Sequence, residues 1–343
     1  LMSYASSIAR RLIFSKTEGQ RLSGPVIKVA TAAVALGVAV MIISLSVGMG
    51  FKSEIRNKIV GFGTNLQVMS FDYNQSYETN PIIDDSTLYT QISAVEGVRH
   101  AQPFIMKPGI IKTKDAIQGI ALKGIDNRFD WTFISSIMQE GEILNISDTA
   151  RSNGIVLSRS LANSLKLQHG DPVRMYFIHN NGIRARRFEL TGIFDSHFPE
   201  FDEKMAYVDM QHLSKLNNWE ENQISGYEIL TNTFEDIDNV LIPLLRVTSY
   251  HAPDDNTFLR VVSIKDLQPQ MFGWLGLLDT NIAVIIVLII AVAGLNMISG
   301  LLILILEHTN MIGILKSMGA RNKDIRSIFI YLALYIVGRG MII

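Results

Sequence analysis

The sequence predicts a polytopic α-helical membrane protein with a large extracytoplasmic α+β domain between spans 1 and 2. Two apolar segments, Val29–Met49 and Thr280–Leu306, carry no charge and reach or exceed the roughly 20 residues that cross a hydrocarbon core. Between them, period-two and helical hydrophobic patterns alternate, as in an α+β unit. A composition of 48% apolar and 18% charged residues over 343 positions fits a chain that is part membrane-embedded and part water-facing.

Charge gives the orientation. Residues 1–28 hold five basic side chains against Glu18, and 307–326 hold Lys316, Arg321, Lys323 and Arg326 against Glu307 and Asp324. Short loops rich in Lys and Arg stay cytoplasmic, whereas long domains cross largely regardless of charge. The N-terminus is therefore expected inside and the domain outside. From Phe51 to Asp279 there are 21 basic and 29 acidic residues, a balance of −8 that speaks against a nucleic-acid surface. With no cysteine, the outer domain depends on an ordinary core rather than on disulfides.

Taken in order, Tyr4, Ile8, Leu12 and Ile13 recur at helical spacing beside Arg10, Arg11 and Lys16, as in a helix lying at the membrane surface. The first span holds the small residues Gly37, Ser44, Ser46 and Gly48, which permit close helix approach. It is too long for the apolar core of a signal peptide, so it reads as a retained anchor. Phe51, Ile55 and Ile59, with charges between them, continue it as a stalk.

Leu66–Phe71 alternates as a strand. Asp85 or Ser86 caps a helix with a stripe at Leu88, Ile92 and Val95, closed by Gly97. Gly154–Leu157 reads as a strand, Ser158 as the cap of a helix whose face is Leu161 and Leu165, and Gly170 as its stop. Val173–Ile178 and Arg187–Phe194 form a hairpin around His179-Asn-Asn-Gly182. After the second span come a mixed helix, Met311–Met318, and a third apolar stretch, Ile328–Val337, which Arg339 interrupts short of a complete span.

Chemistry-bearing motifs are sparse. No Gly-Lys pair offers a phosphate loop, and no Gly-x-Ser-x-Gly motif offers a nucleophile. The seven histidines are scattered without metal-ligand spacing and read as solvated loop residues. Asp195, Glu200, Asp202 and Glu203 gather around Pro199, a cluster that reads as a solvated surface turn. Asn296 and Ser299, polar inside the second span, suit an interhelical hydrogen bond or contact with cargo. The expected chain is non-catalytic, with no metal site.

Residue order adds a family resemblance. Asn296-Met-Ile-Ser-Gly-Leu-Leu302, Glu307, Ile312-Gly-Ile-Leu-Lys-Ser-Met-Gly-Ala320 and Ile328-Phe329 resemble the FtsX/MacB-type ABC transporter permeases. Ala35-Leu-Gly-Val-Ala-Val40, Ser44-Leu45, Gly50-Phe51 and Glu54 look like the first span of the lipoprotein-releasing LolC/LolE branch. Gly154-Ile-Val-Leu-Ser158, Leu161-Ala162, Leu165, Gly170-Asp171 and Gly192-Ile-Phe194 resemble its MacB-like periplasmic core domain.

The resemblance implies an interfacial or cytoplasmic helix at 1–28, span 1 at 29–50, a periplasmic core domain with stalk ends at 51–279 and span 2 at 280–306. A cytoplasmic coupling helix follows at 307–324, then the start of span 3 at 325–343. The family's fourth span lies outside this sequence. Ile312, Gly313, Ile314, Leu315, Lys316, Met318, Gly319 and Ala320 would dock on an ABC ATPase subunit that binds ATP and Mg, with no cofactor in this chain. Gly37, Ser44, Gly48, Asn296 and Ser299 would border a substrate cavity or pack the spans.

The implied function is lipoprotein extraction from the bacterial inner membrane toward the outer membrane. The implied partners are a second permease copy or paralogue, the lipoprotein, and a periplasmic chaperone. The hairpin Ile178–Ile183 is shorter than the chaperone-binding hook of LolC, so the chaperone has no assigned contact. An FtsX-like scaffold controlling a cell-wall hydrolase and a MacB-like efflux component are the alternatives.

Overall fold

The computed structural model describes residues 8, 23–71, 80–147, 150–179, 182–250 and 258–342. The surface helix expected around Tyr4, Leu12 and Ile13, and the hairpin tip at Asn180 and Asn181, lie outside the described residues. The chain forms two compact units, one comprising the chain up to Ser53 together with Met271–Ile343, the other Glu54–Gln270.

The helical unit draws on α1 (Ser23–Gly63), which runs on into the other unit's residues, and on α9 (Pro269–Glu307), α10 (Thr309–Ser317) and α11 (Asn322–Ile342), numbered in chain order. Three of these, α1, α9 and α11, are long and apolar enough to cross a membrane. Arg339 does not interrupt α11, as the sequence suggested. It is exposed, its guanidinium donates to the Tyr335 hydroxyl at 3.0 Å one turn earlier, and the helix continues to Ile342.

Helices α1 and α9 run antiparallel in a constant register. Gly300 faces Ala30, Gly37 faces Ile289 and Ala293, and Gly48 faces Ile282. Lys52 pairs with Asp279 at 2.5 Å, and Phe51 meets Trp274 edge to face at 6.0 Å. Leu304, Phe329, Leu332 and Ile336 join Ala30 and Val34 in one buried cluster.

The α+β unit takes in β1 (Leu66–Ser70), β2 (Ile82–Ile83), α2 (Ser86–Ser93), β3 (Val98–Lys112), β4 (Ile117–Ile125), α3 (Thr132–Ser136), β5 (Met138–Gly141) and β6 (Gly154–Ser158). It continues through α4 (Arg159–Leu165), β7 (Pro172–His179), β8 (Gly182–Phe194), α5 (Pro199–Asp202), β9 (Met205–Asp209) and α6 (Met210–Asn217). The last elements are β10 (Gln223–Ile224), β11 (Gly226–Thr231), a 3-10 turn at Phe234–Asp236, α7 (Ile237–Tyr250), β12 (Leu259–Ser263) and α8 (Ile264–Leu267).

Strands β3, β4, β9, β6, β8 and β7 pair in a closed ring, β7 returning to β3 through Ile110↔Tyr176 and Ile111↔Met175. Alternate residues point inward, and Ile111, Leu122, Leu157, Met175, Phe188 and Val208 fill the ring with at most 1% exposure. The first half of β3 leaves the ring and extends a second sheet, β12-β1-β11-β3.

Local signals act as their chemistry requires. Asp85 accepts from the Thr87 amide and Ser158 from the Leu161 amide, capping α2 and α4. Gly97 and Gly170 take positive φ where these helical segments hand over to strands. The hairpin is longer than the sequence pattern implied, since Ile183–Arg186 are strand and the ladder persists to His179↔Gly182.

Candidate functional site

Helix α10 is amphipathic toward its own unit. Leu315 is buried against Ile328, with Ile8, Met311 and Ala320 beside it, and Ile312 packs into the Leu304 cluster. Of the eight residues expected to meet a partner, Ile312, Leu315 and Ala320 therefore face inward. Helical geometry puts Ile312 and Leu315 on the stripe that α11 needs for cover. Gly313, Ile314, Lys316, Met318 and Gly319 are exposed. Ile314 and Met318, 61% and 68% exposed and one turn apart, make an outward apolar pair. Gly319 ends the helix with φ +92°.

The cavity candidates divide. A Cβ on Gly37 would sit 4.0 Å from Ala293 Cβ, and one on Gly48 would lie on Ile282, so both glycines lie against α9. Ser44 is half-buried and Asn296 is exposed. The exposed Ser299 hydroxyl donates to the Leu295 carbonyl at 3.0 Å, within its own helix rather than across to another.

The end of α1 is a buried polar joint that sequence reading missed. Ile59 and Phe62 are fully buried, and the Phe62 ring stacks on Phe201 at 4.9 Å and meets Phe133 edge-on at 5.1 Å. The Lys123 ammonium, 1% exposed, donates to the Phe62 carbonyl at 2.9 Å and pairs with Glu228 at 2.6 Å. Glu228 also accepts from Gln102 at 2.9 Å. Nearer the start of this segment, Arg56 pairs with Glu235 at 2.6 Å and lies 4.3 Å over the Phe234 ring. Lys265, where the chain leaves the unit, lies over the same ring at 5.4 Å and pairs with Asp238. The chain entering the unit and the chain leaving it are thus fastened to one turn.

Two expectations of solvation are overturned. Asp202 is 3% exposed and accepts from the Ser196 hydroxyl at 2.7 Å and the Phe198 amide at 3.2 Å, so it organises the turn from inside. Burial pushes its carboxyl above the usual range. Glu200 and Glu203 point to solvent instead. His212 and His308 are likewise buried, because each lies on the inward side of its segment. His212 bonds the Ser152 carbonyl at 2.9 Å, and burial, with Arg151 nearby, pushes its imidazole below its ordinary pKa. His251 is outside the described residues.

Membrane-length helices lie on either side of a closed-ring α+β unit in the sequence, and a short amphipathic helix follows the second. The sequence model described as MacB-like periplasmic core domain matches residues 29–241, and that described as FtsX-like permease C-terminal matches 283–343. The chain belongs to the family with a MacB-like periplasmic core domain, joined here to an FtsX-like permease region.

It is similar to the lipoprotein-releasing system transmembrane protein LolE of Haemophilus influenzae, 22% identical over 323 residues, covering 92% of this chain and 74% of that protein. The corresponding LolC of Neisseria meningitidis serogroup B is 23% identical over 318 residues, covering 88% and 71%. Among solved structures, the periplasmic region of MacB from Actinobacillus actinomycetemcomitans is 14% identical, covers 62% of this chain and 95% of that chain, and has a TM-score of 0.40.

Proposed function

We propose that this chain is the transmembrane permease subunit of an ABC transporter that extracts lipoproteins from the inner membrane for delivery to the outer membrane. A separate ATPase subunit supplies the energy. The observation that carries the reading is continuous similarity along 92% of the chain to a protein named for lipoprotein release. Each buried methylene holds an acyl chain in the bilayer by about 0.8 kcal/mol, so a multiply acylated protein does not leave unaided.

In this reading α1, α9 and α11 span the inner membrane, the N-terminus and α10 are cytoplasmic, and the α+β unit is periplasmic. The exposed face of α10, centred on Ile314 and Met318, docks on the ATPase. A second permease copy or paralogue completes the complex, and a periplasmic chaperone receives the cargo. Ser44, Asn296 and Ser299 are the candidates for cargo contact, and ATP and Mg bind to the partner.

The test is reconstitution with the ATPase and a purified lipoprotein in vesicles. ATP-dependent release, lost with its ATPase association in Ile314→Asp/Met318→Asp, is the expected result. Wild-type protein that releases no lipoprotein refutes the cargo assignment, and unimpaired ATPase association in the variant refutes the docking face. Cysteines at Ser44 or Ser299 that form no adduct with cargo in the nucleotide-free state would remove those residues from the cargo path.

A further inference from the structure

We propose that Lys123 is a positioning residue that locks the end of α1, from Glu54 to Gly63, to the sheet, so that this segment and strands β1, β4 and β11 turn as one body during transport. The inference rests on the permease reading above and deepens it by naming the side chain that couples helix to sheet. Only two residues, Thr64 and Asn65, separate α1 from β1, and each is 3% exposed. The Asn65 amide donates to the Ile229 carbonyl at 3.1 Å, its side-chain oxygen accepts from Thr231, and its carbonyl accepts from Ile264.

A helix leaves its last carbonyls without intrahelical partners. At this end the Thr64 backbone amide bonds the Val60 carbonyl at 2.7 Å, and the Thr64 hydroxyl and the Gln67 side-chain Nε2 donate to the Gly63 carbonyl at 2.6 and 3.3 Å. Those partners are local in the chain. Lys123, on β4, is the donor that reaches the Phe62 carbonyl from across the fold.

Its charge is matched by Glu228 on β11, which Gln102 on β3 holds in turn. Phe129 and Tyr207 close over the ammonium, their ring centroids 5.6 and 6.0 Å away. A buried ion pair adds little stability over well-packed apolar side chains of the same volume. What it supplies here is direction. The Phe62 ring alone would let the helix end slide or rotate in an apolar socket, whereas an ammonium held between a helix carbonyl and a sheet carboxylate fixes its azimuth and depth. The negative pole of the helix end adds to the attraction.

The experiment uses the full chain in its ATPase complex in vesicles. The variant is Lys123→Met/Glu228→Gln, which leaves no unpaired charge in the core. Hydrogen exchange at the Thr64, Asn65 and Thr231 amides is expected to accelerate at least 10-fold, with β6 and β9 amides and ATP hydrolysis unchanged and lipoprotein release reduced at least 10-fold. If the double variant does not accumulate, Lys123→Gln/Glu228→Gln, whose amides can pair with each other, takes its place.

Unchanged exchange at the joint overturns the proposal. So does acceleration spread evenly over the α+β unit, which would mark a merely structural ion pair, and so does full release from a loosened joint. A wild-type complex that releases no lipoprotein indicts the permease reading instead, and the exchange comparison then decides the joint alone.

Discussion

Gly340 of α11 lies against Thr31 of α1: a Cβ there would stand 3.0 Å from the Thr31 carbonyl oxygen and 2.9 Å from Val34 Cβ. The backbone oxygen cannot yield without moving α1, and a β-branched valine has little rotamer freedom in a helix. Gly340→Leu should therefore force the two helices apart and cost about 1–3 kcal/mol, the usual range for overpacking. Gly338, two residues earlier, has nothing within 4 Å of its Cβ position, and Gly338→Leu should be tolerated. Thermal unfolding midpoints of the two variants in detergent make the comparison, and equal midpoints would contradict this packing.

His212 makes the α+β unit acid-sensitive. Its Nε2 faces the Ser152 carbonyl, so the ring is neutral with its hydrogen on Nε2, and the buried Nδ1 has no partner among the described residues. Burial disfavours a positive charge on it first, Arg151 and Arg186 add to this, and the Ser152 bond and Asp209 partly offset them. The folded pKa is therefore below the ordinary 6.5. The unfolded chain takes up the proton first, so this contribution is intact above pH 6.5 and is lost as pH falls below it. The slope reaches at most about 1.4 kcal/mol per pH unit. Unfolding midpoints at pH 7.5 and 5.5 should differ more in wild type than in His212→Gln. An equal difference in both would assign the acid sensitivity elsewhere.

The Lys123–Glu228 pair should show the asymmetry of buried charges. Lys123→Met alone leaves the Glu228 carboxylate buried without its ammonium, and Glu228→Leu alone strands the ammonium. Each single variant should cost about 3–5 kcal/mol, whereas removing both partners should cost far less. Denaturant unfolding of the three variants measures the coupling, and additive losses would argue against a mutually dependent pair.

What the sequence made legible was local. Asp85, Ser158, Gly97 and Gly170 announced their caps and stops because capping depends on residues a few positions apart. Apolar length announced α1 and α9. Arg339 was misread as an interruption because an isolated charge looks prohibitive until a neighbouring hydroxyl and an exposed position accommodate it. Asp202 was misread because acidic neighbours suggest solvent, while its burial depends on Ser196 and a backbone amide folding over it. Lys123 follows Ile120-Ala-Leu and by alternation points out of the ring, which ordinarily means into water. The end of α1, some sixty residues earlier, covers that face. The division of α10 into inward Leu315 and outward Ile314 likewise depended on where α11 packs.

The pairing of α1 with α9 can be captured covalently. A Cβ on Gly37 would be 4.0 Å from Ala293 Cβ, inside the 3.5–4.5 Å range that a disulfide spans. The chain has no cysteine, so Gly37→Cys/Ala293→Cys introduces a single possible bridge. Mild oxidation should form it quantitatively within one chain, whereas Gly37→Cys with a cysteine at Leu295 should stay reduced, because Leu295 is 64% exposed and off the face that meets Gly37. Under the proposed lipoprotein-release function, α1 and α9 moving as one wall, as their contact from Ala30–Gly300 to Lys52–Asp279 suggests, predicts that the oxidised protein releases cargo at the wild-type rate. Release that stops on oxidation and returns on reduction would show instead that the two helices separate in each cycle, and would place the cargo path between them.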